Sequence, residues 1–142
     1  LSHRVVRSGG AGLVIDYGHL RSAPGETLQA IGGHAFANPL LGAGTVDLTA
    51  HVDFQSLAQS FESMTARIHG PVEQGHFLRQ LGIERRGKAL KAYAQREKLA
   101  EIDSAIARLI GNSPAGMGQL FKVLAFSHPD LRSLPGFESK LP

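Results

Sequence analysis

Leu13-Val14-Ile15-Asp16-Tyr17-Gly18-His19 is an apolar run that turns polar at a single step. A run of this length, entered through Gly9-Gly10-Ala11-Gly12 and closed by Asp16-Tyr17-Gly18, suits a buried parallel strand. Upstream, Leu1 to Arg7 reads as the last turns of a helix: Val5 and Val6 are apolar, Arg4 and Arg7 basic, and Gly9-Gly10 the stop. Helix end, glycine turn and buried strand make half of an α/β repeat. With a helix that begins at Leu1 without an N-cap, the sequence is expected to be the C-terminal part of something longer. An apolar run such as Leu13–Ile15 implies a strand covered on both faces and paired on both sides. One of its neighbours is then expected from an N-terminal segment or a partner chain that pairs along residues 13–17.

Downstream of the strand, residues 19–52 read as a long loop insertion with little periodicity, punctuated by Pro24-Gly25 and Asn38-Pro39. Loops of this length are commonly functional. Asp53 then reads as the N-cap of a helix whose Phe54, Leu57, Ala58 and Phe61 follow the i, i+3, i+4, i+7 pattern. Thr65 to His69 reads as a short strand ended by Gly70-Pro71. Three helices follow: one through Phe77, Leu78 and Leu81, a basic one over about 84–96, and one over 99–110 stopped by Gly111. Gly116 to Gln119 reads as a turn, Leu120 to Phe126 as a strand, and residues 127–142 as a polar tail. The fold class is α/β, with too few strands for an independent doubly wound sheet.

Composition bounds the function. The 142 residues carry 42% apolar and 19% charged side chains, which is globular composition. Cys is absent, so thiolate metal sites, disulfides and Cys nucleophiles are excluded. The 15 Lys and Arg exceed the 12 Asp and Glu by too little to argue for nucleic acid, and aromatic residues are few. No apolar run approaches the roughly 20 residues of a membrane span.

The residues that carry chemistry lie in three stretches. Asp16, Tyr17, Gly18 and His19 stand where a strand ends, and ligands of open α/β sheets bind beyond the carboxyl ends of strands; Asp and Gly are also ordinary turn residues. In Asp47-Leu48-Thr49-Ala50-His51-Val52-Asp53 the polar residues alternate, which suits acid/base work or a cationic group. Thr49 or Asp53 serves equally well as a helix cap. His69-Gly70-Pro71-Val72-Glu73-Gln74-Gly75-His76 lacks the helical spacing of a metal motif and reads as a strand-to-helix turn, so no metal is expected. Glu84-Arg85-Arg86-Gly87-Lys88 with Lys91 reads as a solvated helix face. No phosphate-binding or nucleotide-binding glycine loop is present, because Gly9–Gly12 precede a strand rather than follow one.

In order and approximate spacing, five motifs resemble the C-terminal part of the MidA family of S-adenosylmethionine-dependent methyltransferases. They are Leu13–His19; Thr27-Leu28-Gln29-Ala30; Asp47–Phe54; Gly70-Pro71-Val72-Glu73-Gln74-Gly75-His76-Phe77-Leu78 with Leu81-Gly82-Ile83; and Met117-Gly118 through Phe121–Ala125. The resemblance implies that residues 1–142 are the C-terminal part of a Rossmann-like class I methyltransferase sheet, incomplete without N-terminal strands. Leu13–Tyr17 would be the fifth strand, and the strands near Ile68 and Val123 the sixth and seventh, the last antiparallel. It also implies methylation of an arginine on a protein, a respiratory complex I subunit among mitochondrial members. The family's loop for S-adenosylmethionine lies earlier in its sequence, so no cofactor-binding residue and no activity are expected of this chain alone. A cytoplasmic location is expected for a bacterial-type member, a mitochondrial one for eukaryotic relatives. Motif positions carried over are Asp16 and Asp47 as catalytic candidates and guanidinium partners. Tyr17, Gly18, His19, Thr49, Asp53, Gly70, Pro71 and Gln74 are carried over as substrate-binding or active-site loop residues. A non-catalytic protein-binding or complex-assembly module, using the long loop and the basic helix, is the competing class.

Overall fold

Helix α1 (Ser2–Ser8) ends at Gly9, and Gly9 and Gly10, at φ +78° and +105°, reverse the chain into strand β1 (Ala11–His19). The computed structural model describes residues 1–33, 35–42, 44–113 and 116–138. Strand β1 pairs antiparallel with the last strand, β7 (Phe121–Ser127), from Ala11 opposite Ser127 to Tyr17 opposite Phe121. On its other side β7 pairs antiparallel with β6 (Arg67–Glu73). Two-residue β5 (Val52–Asp53) joins β1 in parallel at Gly18 and His19, giving the order β5-β1-β7-β6.

The buried strand is β7 rather than β1. Val123, Leu124, Ala125, Phe126 and Ser127 are all within 2% of full burial, because β7 has a strand on each side and helices over both faces. On one face lies α2 (Phe54–Glu62), whose Phe61 ring sits 4.1 Å from that of Phe126 and whose Phe54 is fully buried. On the other lie α3 (Gln74–Gln80) and the segment around Phe137, with Phe77 and Phe137 rings 5.1 Å apart. That second layer stops short of β1. Leu13 and Ile15 are 51% and 46% exposed, against the expectation of cover on both faces, and among the described residues the outer edge of β1 pairs only at Gly18 and His19. Ser127 belongs to β7, and the tail beyond it contributes an apolar anchor through Phe137; residues 139–142 lie outside the described ones.

Residues 19–52 carry regular structure that their composition hides. Strands β2 (Gln29–Gly32), β3 (Ala35–Ala37) and β4 (Asp47–Thr49) form a second, antiparallel sheet in the order β3-β2-β4. Strands of three or four residues are too short for a period of two to show, so the sequence reads as loop. Two other boundaries also shift. Gly70-Pro71 does not end its strand: β6 runs on through a cis Gly70–Pro71 bond and a bulge between His69 and Val72. An edge strand tolerates the missing proline N–H. The basic helix is α4 (Ile83–Tyr93), the next is α5 (Leu99–Ile110), and the expected turn at 116–119 is a one-turn helix, α6 (Met117–Leu120).

Close approaches explain several motif glycines. A Cβ on Gly18 would stand 2.2 Å from the Val52 carbonyl oxygen and 3.0 Å from the Phe54 ring, so only glycine lets β5 lie against β1. Cβ atoms on Gly75 and Gly118 would stand 2.8 and 2.4 Å from the Ile110 carbonyl oxygen at the end of α5. The same helix end is capped by α3: Gln74 Nε2 donates to the Leu109 carbonyl and Arg79 Nη2 to that of Ile110, each at 2.9 Å.

Beneath Phe137, His69 is buried with Nε2 2.9 Å from Ser127 Oγ, and burial lowers its pKa below the ordinary 6.5. The unfolded chain therefore binds a proton that the folded chain resists, and stability falls as pH drops below 6.5. The melting temperature is expected to drop from pH 7.5 to pH 5.5 by less in His69→Gln than in the wild type, as read by thermal scans at the two pH values. Equal drops would show that His69 is not the group responsible. Gly18→Ala is expected to cost about 1–3 kcal/mol in urea denaturation, the range for an overpacked site.

Candidate active site at the end of strand β1

The last turn of β1 delivers its polar residues to alternate faces. Tyr17 lies on the face of Ile15. Its hydroxyl is hydrogen-bonded to Thr49 Oγ1, and its ring meets His51 and Phe121 edge-on at 5.6 and 5.8 Å. Around this contact is a cavity of about 490 Å³. Gln29, Ile31, Phe36 and Thr49 line it from the small sheet, His51 from the β4–β5 connection and Leu120 from the end of α6. Register aligns these side chains: Gln29 is opposite Thr49, and Ile31 is opposite both Phe36 and Asp47. Opposed residues share a face, so Asp47, exposed, stands on the cavity face one row beyond Thr49.

Asp16 points to the other face of β1. Its Oδ1 accepts from the Tyr17 backbone N–H at 2.8 Å, and it lies opposite Lys122, which is in turn opposite Glu73. Lys122 donates its ammonium to the carbonyls of Gln119 and Leu120 at the end of α6. Burial lowers the pKa of this lysine, and the Glu73 carboxylate opposes that shift. His19 Nδ1 is bonded to the Arg21 carbonyl at 2.7 Å and shapes the exit turn.

Asp53 is the cap of α2. Oδ1 accepts from Ser56 N at 3.0 Å, and Oδ2 accepts from Ser22 Oγ at 2.6 Å and Ser56 Oγ at 2.9 Å. The Ser22 hydroxyl, then the Ser56 N–H, hold its pKa down to about 2. One carboxylate thus satisfies the helix end and ties the start of the long insertion to it.

Of the motif positions, the fold brings Tyr17, Thr49 and Asp47 to one cavity face, with Gly18, His19 and Asp53 beside them. Gly70, Pro71 and Gln74 stand elsewhere, because β7 separates β6 from β1. Gly70 packs on the Val123 carbonyl and Phe137, and Gln74 is buried with its amide on Leu109. His51, singled out by the polar alternation of 47–53 but not among the carried-over motif positions, joins the cavity, as do Gln29, Ile31 and Phe36, placed by cross-strand register, and Leu120, placed by the end of α6. Among the described residues no group of three or more His, Asp or Glu stands close enough to hold a metal ion. Hydroxyls, an amide, an imidazole and aromatic rings, with no Lys or Arg among the described lining residues, suit a planar cationic group.

Residues 1–72 match the profile of a family described as S-adenosyl-L-methionine-dependent methyltransferases. The Drosophila melanogaster "Protein arginine methyltransferase NDUFAF7 homolog, mitochondrial" is 37% identical over 145 residues, 96% of this chain and 32% of that protein. The Mus musculus "Protein arginine methyltransferase NDUFAF7, mitochondrial" is 38% identical over 130 residues, 88% of this chain and 28% of that one. A Burkholderia thailandensis crystal structure bound to S-adenosyl-homocysteine superposes at a TM-score of 0.70 with 29% identity, over 93% of this chain and 33% of its own. A second one from that organism gives 0.76 at 29% identity, over 97% and 37%. The chain spans about a third of the length of the relatives it matches. Family profile, relatives and motifs agree, and the chain belongs to the MidA-like family of S-adenosylmethionine-dependent methyltransferases.

Proposed function

We propose that this chain is the C-terminal part of a Rossmann-like S-adenosylmethionine-dependent protein methyltransferase and supplies the acceptor side of its active site. In this reading the group modified is an arginine guanidinium, on a respiratory complex I subunit or another protein. The observation that carries the reading is the meeting of two motifs distant in sequence. Asp16–His19 and Asp47–Asp53 join through the Tyr17–Thr49 hydrogen bond beside a cavity that, among the described residues, is lined by no Lys or Arg.

A guanidinium must be oriented, shielded from water and relieved of a proton before its nitrogen attacks. Asp47, on the cavity face, is the candidate bidentate partner. Asp16, the second candidate, lies on the other face of β1 and in this reading acts as a positioning residue that fixes the Tyr17 peptide carrying the phenol into the cavity. Tyr17 and Thr49 orient the acceptor; Gly18, His19 and Asp53 hold the loop around it. Gly70, Pro71 and Gln74 contribute through the packing of β6 and α3.

The family's cofactor supplies an electrophilic methyl group. A cofactor cradle follows a strand and opens a helix. Here the β5–α2 junction is filled by the Asp53 carboxylate, and at the β6–α3 junction Gly75 is closed in by the Ile110 carbonyl. Neither junction fits the cofactor. Residues outside these 142, in this reading, hold it and pair along the open edge of β1, covering Leu13 and Ile15. No helix among the described residues is long and apolar enough to cross a membrane. We assign a bacterial-type protein of this kind to the cytoplasm, while the eukaryotic relatives bear a mitochondrial name.

A non-catalytic assembly module is the second reading. It is favoured by α4, where Tyr93 is 94% exposed and Arg85, Arg86 and Lys88 form no ion pair among the described residues. Methyl transfer by the intact protein to a protein substrate separates the two.

The 142-residue chain alone is expected to give no saturable heat with S-adenosylmethionine in titration calorimetry; micromolar binding would place the cofactor site within it. In the intact protein, Asp47→Asn is expected to lower kcat/KM about 10- to 100-fold, the loss of one charged hydrogen bond, with an unchanged melting temperature. Asp16→Asn is expected to lower kcat/KM while leaving the fold intact. If Asp16→Asn lowers stability instead and activity per folded molecule survives, Asp16 leaves the site.

A further inference from the structure

Phe36 is an anomaly of burial. It is 79% exposed, yet it lines the cavity that holds the Tyr17–Thr49 hydrogen bond. An aromatic side chain this exposed gains little from folding, since it leaves most of its apolar area in water. It is carried by β3, the edge strand of the small sheet, directly opposite Ile31 and across β2 from Asp47. The cavity therefore has a phenol and an imidazole in contact on one side, a free phenyl ring on the hairpin, and a carboxylate in the next row. Among the described residues no Lys or Arg lines it. Such a set is poor for an anion and poor for a neutral aliphatic group. It is suited to a flat, delocalised cation, which stacks on rings while a carboxylate bonds its edge.

We propose that Phe36 is a specificity-determining residue: together with Tyr17 it forms an aromatic clamp for the guanidinium of the acceptor, with Asp47 at its edge. This deepens the acceptor-side reading above and rests on it for the identity of the cation. The clamp selects guanidinium over ammonium, because a compact, strongly hydrated ammonium gives up more water and cannot stack. It discriminates more sharply against a neutral urea group of the same shape, which has no charge for the rings or for Asp47.

The test uses binding alone, so it needs neither cofactor nor turnover. N-acetylarginine N-methylamide and its lysine and citrulline analogues are titrated into the intact protein and followed by NMR. The arginine probe is expected to bind at least about tenfold more tightly than the citrulline probe. Phe36→Leu keeps an apolar side chain but removes the ring, and is expected to weaken arginine binding roughly 3- to 30-fold, while Phe36→Trp retains it. The melting temperature of Phe36→Ala is expected to match wild type. Equal binding of arginine and citrulline probes, or an unaltered Phe36→Leu, overturns the proposal. So does a Phe36→Ala melting temperature that falls like that of a core deletion, which would show another segment of the protein covering the ring. Arginine-selective, Phe36-dependent binding by a protein that transfers no methyl group would leave the clamp standing and remove the methyltransferase reading. Transfer to a protein that ignores Phe36 would do the reverse.

Discussion

The ladder between β1 and β7 is the constraint on which the rest depends. Because β7 runs antiparallel to both of its neighbours, β1 and β6 point the same way and the carboxyl end of β1 meets the start of β7. Tyr17 is thereby set opposite Phe121 and Asp16 opposite Lys122, next to the short helix α6. Shifting this register by one residue would turn Tyr17 to the α2 face and Asp16 toward the cavity. Such a slip is opposed opposite Phe126, whose ring takes the space a Cβ on Gly12 would occupy, so no neighbouring residue of β1 fits there.

The small sheet is held to this framework by side chains rather than by a core of its own. Three short strands bury little apolar surface and are marginal alone. Thr49 binds the Tyr17 hydroxyl, Thr27 Oγ1 accepts from the His51 backbone N–H at 3.3 Å, and Asp53 gathers Ser22 onto the cap of α2. The same contacts that secure the insertion also line or border the cavity. A site built this way couples the position of its aromatic and hydroxyl groups to the end of β1, where the ladder to β7 gives way to β5.

Glycines stand where main chains touch. Gly18 admits β5, Gly75 and Gly118 admit the end of α5, and Gly87 admits the Ile106 side chain between α4 and α5. In each case the occupant is backbone or a half-buried branch, so the glycine is a packing requirement and its place within a family motif does not by itself mark a catalytic contact. Gln74 illustrates the same point for a polar residue, because its amide serves a helix end far from the cavity.

By itself, the sequence determined the α/β class, the helices α1 and α2, the boundaries of α5, the Asp53 cap, the strands β1 and β7, and the family, whose motifs are written in contiguous residues. Each of these is a local signal: a helical period needs two turns, a cap needs one residue, and a motif needs only its own spacing. Tertiary structure alone decided the small sheet, whose strands are shorter than any readable period, and the passage of β6 through Gly70-Pro71, which an edge position permits. It decided the exposure of Leu13 and Ile15 and the burial of Val123–Phe126, two apolar runs that look alike until their neighbours are counted. It also brought Gln29, Phe36 and His51 to Tyr17, because register between strands, which no single segment encodes, fixes which side chains share a face.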